Sequence, residues 1–124
     1  THWRNLYFNG VSVGENGIKD ALCGHYGVPV LLVTGDEATC REARALLGAG
    51  LTTVAVKRGL SRYSARQIPP VRARQMIAEG AERALKQLTA VAPYVPAEPV
   101  TITVDLGSVD SAAQFRHMGA TTLL

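Results

Sequence analysis

The stretch VPVLLVTGDEATCREARALLGAGLTTVAV, residues 28–56, decides the fold. It opens with a continuous apolar run over 28–33, which is typical of a strand buried on both faces, as in a parallel sheet. Asp36 then provides an N-cap for a helix over 37–47. A second apolar and β-branched run at 51–56 predicts another strand. The order strand–helix–strand predicts two parallel strands joined by a right-handed crossover.

The residues before this stretch predict a β-hairpin followed by a helix. Asn9-Gly10 lies between two short apolar runs within residues 3–13, and this dipeptide favours a tight turn with positive φ at both positions. Apolar residues at helical spacing then predict a helix over 15–26. Gly27 follows it and can adopt the left-handed conformation that ends many helices.

The residues after this stretch change in character. Residues 57–68 are polar and basic and predict a loop, and a proline pair then opens a helix predicted over 71–91. A strand is expected at 100–104, with a short helix after it. The predicted fold class is therefore α/β, with a three-layer unit containing parallel strands over 1–57 and a smaller α+β portion over 58–124.

Composition excludes several classes of protein. The chain has 124 residues, a formal charge of +3, 47% hydrophobic residues and only 19% charged ones, which is typical of a folded domain and not of a disordered chain. No uncharged apolar run is long enough for a membrane span, and no signal peptide is visible. Basic and aromatic residues do not alternate, so neither nucleic acid nor membrane is an expected partner. Two cysteines without metal-ligand spacing favour a reduced, cytoplasmic protein.

Two carboxylates lie where a strand gives way to a helix. Glu15 follows Val13-Gly14, and a carboxylate held there can be a metal ligand or a general base, or it can simply complement the helix dipole. Asp36 ends the first buried strand, where open α/β sheets bind ligands, and it can bind a cation, accept a phosphoryl group or act only as an N-cap.

The remaining polar residues are less specific. None of the three histidines lies in a HExxH motif or four residues from another histidine, and His25 suits the end of a helix. A basic cluster can bind an anion, or it can form a solvated loop or a subunit contact. Its members are Lys57, Arg58, Arg62 and Arg66.

Several separated motifs resemble one known family. Residues 9–17 (NGVSVGENG) and 24–36 (GHYGVPVLLVTGD), continued by 53–57, Ser61-Arg62 and Pro69-Pro70, resemble the zinc-dependent D-aminopeptidases in order and spacing. The resemblance covers nearly the whole chain. It implies a cytoplasmic enzyme with two zinc ions per site that removes N-terminal D-amino acids from short peptides. It also implies ring-like homo-oligomers whose active sites face an internal chamber.

The resemblance implies a role for Glu15 as a metal ligand, because this residue matches the glutamate of the family's Val-Gly-Glu motif. The family's Asp-x-Glu pair and its two ligand histidines have no counterpart here, and no catalytic residue can be assigned. We therefore expect the chain to be part of a longer protein, and the isolated chain to be inactive. The alternative is a non-catalytic α/β domain for oligomerisation or interaction, and a second alternative is a phosphoacceptor domain that uses Asp36.

Overall fold

The computed structural model describes residues 3–115 and Gly119. The chain divides into two compact units, one of residues 15–95 and one of residues 1–14 with 96–124. The predicted boundary after residue 57 lies inside a strand, Thr52–Ser61. The elements in chain order are β1 (Trp3–Phe8), β2 (Val11–Val13), α1 (Glu15–His25), β3 (Leu32–Asp36), α2 (Glu37–Leu47), β4 (Thr52–Ser61), β5 (Ser64–Gln67), α3 (Pro70–Leu85), β6 (Ile102–Leu106) and α4 (Val109–Ala113).

The unit of residues 15–95 contains the predicted strand–helix–strand motif. Strands β3 and β4 are parallel, with Val33 beside Thr53, and β5 adds to the other edge of β4 in an antiparallel direction. Helix α2 spans the residues predicted for it, and its N-cap is Asp36, as expected. The α/β class predicted from the sequence is confirmed.

Helices α2 and α3 lie on opposite faces of this sheet. Ala43 of α2 belongs to the same buried cluster as Val33. On α3, Gly80 approaches the sheet so closely that an added Cβ would lie 3.5 Å from Leu32 Cδ1. Because neighbouring residues of a strand point to opposite faces, Leu32 and Val33 contact different helices. The unit therefore has three layers, and one outer layer, α3, comes from the portion 58–124 and not from the residues 1–57 for which three layers were predicted.

The first predicted strand is misplaced. Residues 28–31 are not part of a strand, and β3 begins only at Leu32 and continues to Asp36. The preceding helix accounts for this shift, because Gly27 has a φ of +69° and the Val28 N–H donates to Cys23 O at 2.9 Å. Strand β3 has a single neighbour within the described sheet and is not buried along its length. Its apolar predecessors Val30 and Leu31 instead pack against the buried cluster.

The polar residues after Val56 form a hairpin from the second half of β4 and from β5, so the predicted loop over 57–68 is wrong. Strand β4 continues to Ser61, and β5 returns beside it with Arg58 opposite Arg66. No alternation of apolar residues marks these strands because all residues from 57 to 67 are exposed. Helix α3 also differs from the prediction, since it ends at Leu85, six residues early, and Val91 lies buried beyond it.

The unit of residues 1–14 and 96–124 contains a second sheet, in the order β2-β1-β6. The predicted hairpin is confirmed, with φ angles of +50° at Asn9 and +79° at Gly10. Asn9 also holds the returning chain, because its Nδ2 donates to Ala97 O and its Oδ1 accepts from Thr101 N, both at 2.7 Å. Strand β6 begins two residues later than expected, and Ser108 caps the short helix α4.

Candidate functional site

Glu15 is the first residue of α1 and follows β2 through Gly14, which is the position predicted from the sequence. Its side chain is 79% exposed, and its Oε1 lies 3.1 Å from Lys19 Nζ one turn along the helix. An exposed ion pair of this kind contributes little to stability. An acidic residue in the first turn of a helix complements the partial positive charge at the helix N-terminus. The fold thus exposes the Glu15 carboxyl group without needing it for packing.

Asp20 is a buried carboxylate on the same helix. Only 3% of its surface is exposed, and its Oδ2 has no hydrogen-bond partner in the part of the chain that the structure describes. Burial raises the pKa of this carboxyl above its ordinary value, because the charged form loses its hydration. Asp20 shares the buried face of α1 with Gly17 and Gly24, and an added Cβ on Gly24 would collide with the carbonyl oxygen of Tyr94. The sequence prediction missed Asp20, although an acid beside Ala21 and Leu22 in an apolar helical pattern was a signal.

Both carboxylate oxygens of Asp36 accept hydrogen bonds from the backbone. Its Oδ1 accepts from Ala38 N and its Oδ2 from Gly59 N, both at 2.9 Å, and Lys57 Nζ lies 3.7 Å from Oδ2. The Ala38 N–H, assisted by the Gly59 N–H and the Lys57 charge, lowers the pKa of Asp36 below its ordinary value. Asp36 therefore joins the start of α2 to β4, which supports the N-cap interpretation over a phosphoacceptor role.

An open groove of about 320 Å³ lies beside Asp36. It is bounded by the end of β3, the middle of β4, the end of β5 and the first turn of α3. The groove is lined by Gly35, Asp36, Val56, Lys57, Gln67, Ile68, Pro70 and Ala73.

The four cations of the predicted basic cluster are not all available to bind an anion. Lys57 pairs with Asp36, and Arg58 Nε lies 3.5 Å from Glu37 Oε2. The Arg62 guanidinium lies 5.6 Å from the centre of the Tyr63 ring at the end of the hairpin. Two of the four cations are thus neutralised by carboxylates at the start of α2.

A zinc site in a protein needs three or four nitrogen, oxygen or sulfur ligands. Within residues 3–115, no group of three or more His, Cys, Asp or Glu side chains is arranged to hold a metal ion. His25 packs edge-on against Tyr26 at the end of α1, and His2 and His117 lie outside the described residues. The described residues therefore do not fit a zinc ion by themselves, although Glu15 can contribute one ligand.

The cysteines do not provide an alternative site. Cys40 is buried, its Sγ lies 3.9 Å from Val33 O, and burial raises the pKa of its thiol. Cys23 is partly buried, and both cysteines are free. Among the described residues, no helix is both long and apolar enough to span a bilayer.

The α/β fold is shared with a class of metal-dependent peptidases. A family model described as D-aminopeptidase matches residues 1–124, and the chain therefore belongs to the D-aminopeptidase family. A curated relative, the D-aminopeptidase of Bacillus subtilis (strain 168), is 31% identical over 120 residues, which are 97% of this chain and 43% of the relative.

A solved structure is also closely similar. It is the Zn-dependent D-aminopeptidase DppA from Bacillus subtilis, described as a self-compartmentalizing protease. The two folds superpose with a TM-score of 0.93 at 29% identity, covering 99% of this chain and 44% of that one. The chain thus spans less than half the length of the relatives that it matches.

Proposed function

We propose that these 124 residues are part of a longer zinc-dependent aminopeptidase that removes N-terminal D-amino acids from short peptides. Membership of the D-aminopeptidase family supports this proposal, and so does the similarity to a structure named as Zn-dependent. The observation that carries it is the position of Glu15 within that shared fold. Two zinc ions per site, a homo-oligomeric assembly and a cytoplasmic location belong to the same proposal.

Glu15 is proposed to be one of the metal ligands. Its carboxylate is held at the first residue of a helix and pairs, among the residues that the structure describes, with exposed Lys19, so a metal ion can displace that ammonium at low cost. The other ligands are proposed to come from polypeptide outside residues 1–124, because the described residues contain no complete set. A rigid backbone position is what a metal ligand requires.

The test compares the full-length protein with the 124-residue chain. The full-length protein should hydrolyse dipeptides with an N-terminal D-residue in preference to their L-counterparts. Chelation should abolish this activity, and added zinc should restore it. Metal analysis of the purified protein should find two zinc ions per site. Full hydrolysis after zinc removal would contradict the proposed chemistry.

The isolated chain should neither hydrolyse these peptides nor bind zinc tightly, since one carboxylate cannot replace three or four ligands. Isothermal titration with zinc measures this directly. Sub-micromolar binding by the 124-residue chain would show that it contains a complete site, contrary to the proposal. A full-length protein that assembles but never hydrolyses peptides would instead support the non-catalytic interaction domain.

A further inference from the structure

Residues 57–67 form an exposed hairpin, here called the basic arm. Every residue of the basic arm is exposed, including Leu60 at 62% and Tyr63 at 90%. Four cations and no carboxylate lie within it. An isolated two-stranded hairpin is only marginally stable in water, and exposed tyrosine and arginine side chains are typical of the centres of protein interfaces. These features together indicate a contact surface.

The base of the basic arm is held firmly. Gly59 N donates to Asp36 Oδ2 at 2.9 Å, and Arg58 pairs with Glu37 at the start of α2. Near the tip, the Ser61 and Ser64 hydroxyls are 2.7 Å apart and hydrogen-bonded. A preorganised surface loses less conformational freedom on binding than a flexible loop does. The fold therefore presents Tyr63 and its neighbouring cations in a fixed direction.

The same chain carries a surface of opposite character. Residues 96–115, here called the acidic segment, contain three exposed carboxylates and no lysine or arginine. Strand β6 within it lies at the edge of the sheet that the described residues form, and Ile102 and Val104 on this strand are exposed. Both surfaces thus combine apolar side chains with charge, and the charges have opposite signs. The carboxylates are Glu98, Asp105 and Asp110.

We infer that the basic arm docks on the acidic segment of a second copy of this chain. Complementary charge and apolar surface on both sides favour this partner. The inference rests on the proposed homo-oligomeric assembly and names the surfaces that build it. When the arm of each copy docks on the next copy without a reciprocal contact, the interface is heterologous, and repeated head-to-tail contacts of this kind close into a ring if their rotation permits.

The test is charge reversal in the full-length protein, read by sedimentation velocity. Arg62→Glu with Arg66→Glu reverses the basic arm, and Arg74→Glu with Arg83→Glu on α3 is the matched control. We expect the arm variant to dissociate, with association at least about tenfold weaker, and the control to sediment as the wild type does. High salt should weaken the wild-type assembly as well. Circular dichroism should show that both variants are folded.

A second variant makes the test specific. Glu98→Lys with Asp110→Lys reverses the charge of the acidic segment. This variant should also dissociate when it is the only protein present. A mixture of the two reversed proteins should reassemble, since each then offers the charge that the other lacks. The inference would be overturned if either variant kept the assembly mass of the wild type, if the mixture failed to reassemble, or if the wild type were monomeric. Zinc content and peptide hydrolysis are measured separately, so failure of the arm contact is distinguishable from failure of the proposed peptidase function.

Discussion

Glu15 and Asp36 occupy equivalent places, each at the point where a strand ends and a helix begins, yet their surroundings differ. Asp36 has 19% of its side chain exposed and accepts two backbone hydrogen bonds. Glu15 has 79% exposed and pairs only with Lys19 among the described contacts. The Asp36 carboxylate stabilises the fold, whereas the Glu15 carboxylate is available to bind a ligand. Position in the sequence alone does not separate these roles.

The largest effect is expected from removing the Glu15 charge in the full-length protein. Glu15→Gln should lower kcat/KM by at least about 100-fold and reduce bound zinc, because loss of a ligand should exceed the effect of losing an outer-shell partner. Asp36→Asn is the matched control, and it should retain both zinc and activity. Steady-state kinetics with metal analysis checks this pair. Equal loss of zinc in both variants would remove the distinction between the two carboxylates.

Gly24→Ala tests whether the placement of α1 matters for Glu15. A methyl group at Gly24 would collide with the Tyr94 carbonyl, so the helix must shift. We expect the thermal midpoint to fall by about 10 °C. Zinc binding by the full-length protein should weaken as well, because Glu15 moves with the helix. Calorimetry with and without zinc measures both effects, and an unchanged midpoint would contradict the close packing.

Asp36→Ala should destabilise the chain where Glu15→Ala does not. Loss of the cap and of the bond from Gly59 should lower the thermal midpoint by about 5 °C, against less than about 2 °C for Glu15→Ala. The pKa of Asp36 is lowered in the folded state, so its stabilisation is present at neutral pH and is lost as pH falls below about 4. Thermal melts of both variants at pH 7 and pH 3 provide the comparison.

Asp20 should show the opposite dependence on pH and the smallest effect. The pKa of its carboxyl is raised in the folded state, so the chain loses stability as pH rises through that pKa. Asp20→Asn should therefore raise the thermal midpoint at pH 7 by about 3 °C and leave it unchanged near pH 3. Stabilisation of the same size at both values of pH would show that the carboxyl charge is not responsible.

The sequence predicted those parts whose signals are local. Asn9-Gly10 specified its turn and Asp36 specified its helix cap, because both act within a few residues. The strand over 28–33 was misplaced because apolar residues that enter the core from a loop have the same pattern as a buried strand. The hairpin after Val56 was missed because both of its strands are exposed, so burial leaves no periodic pattern there.

The candidate site was predictable only in part. Glu15 was proposed through its motif. The apolar helical pattern around Asp20 was a signal of burial, but it did not indicate that the buried carboxyl would lack a hydrogen-bond partner among the described residues. That property depends on which face of α1 is covered, which is a matter of tertiary packing. The contacts that the Gly59 N–H and Lys57 Nζ make with the Asp36 carboxylate also depend on tertiary structure, because they form only when β4 lies beside Asp36.

The pairing of β1 with β6 has a consequence for biosynthesis. Trp3 lies opposite Leu106, and Asn9 is bonded to Thr101, so during synthesis strand β1 must wait for a partner made about ninety residues later. At ordinary elongation rates that interval is roughly 5 to 20 s. Residues 15–95 are contiguous and can fold during it. The nascent hairpin therefore has an open edge throughout that time, and a chaperone that shields short strands would find its target there.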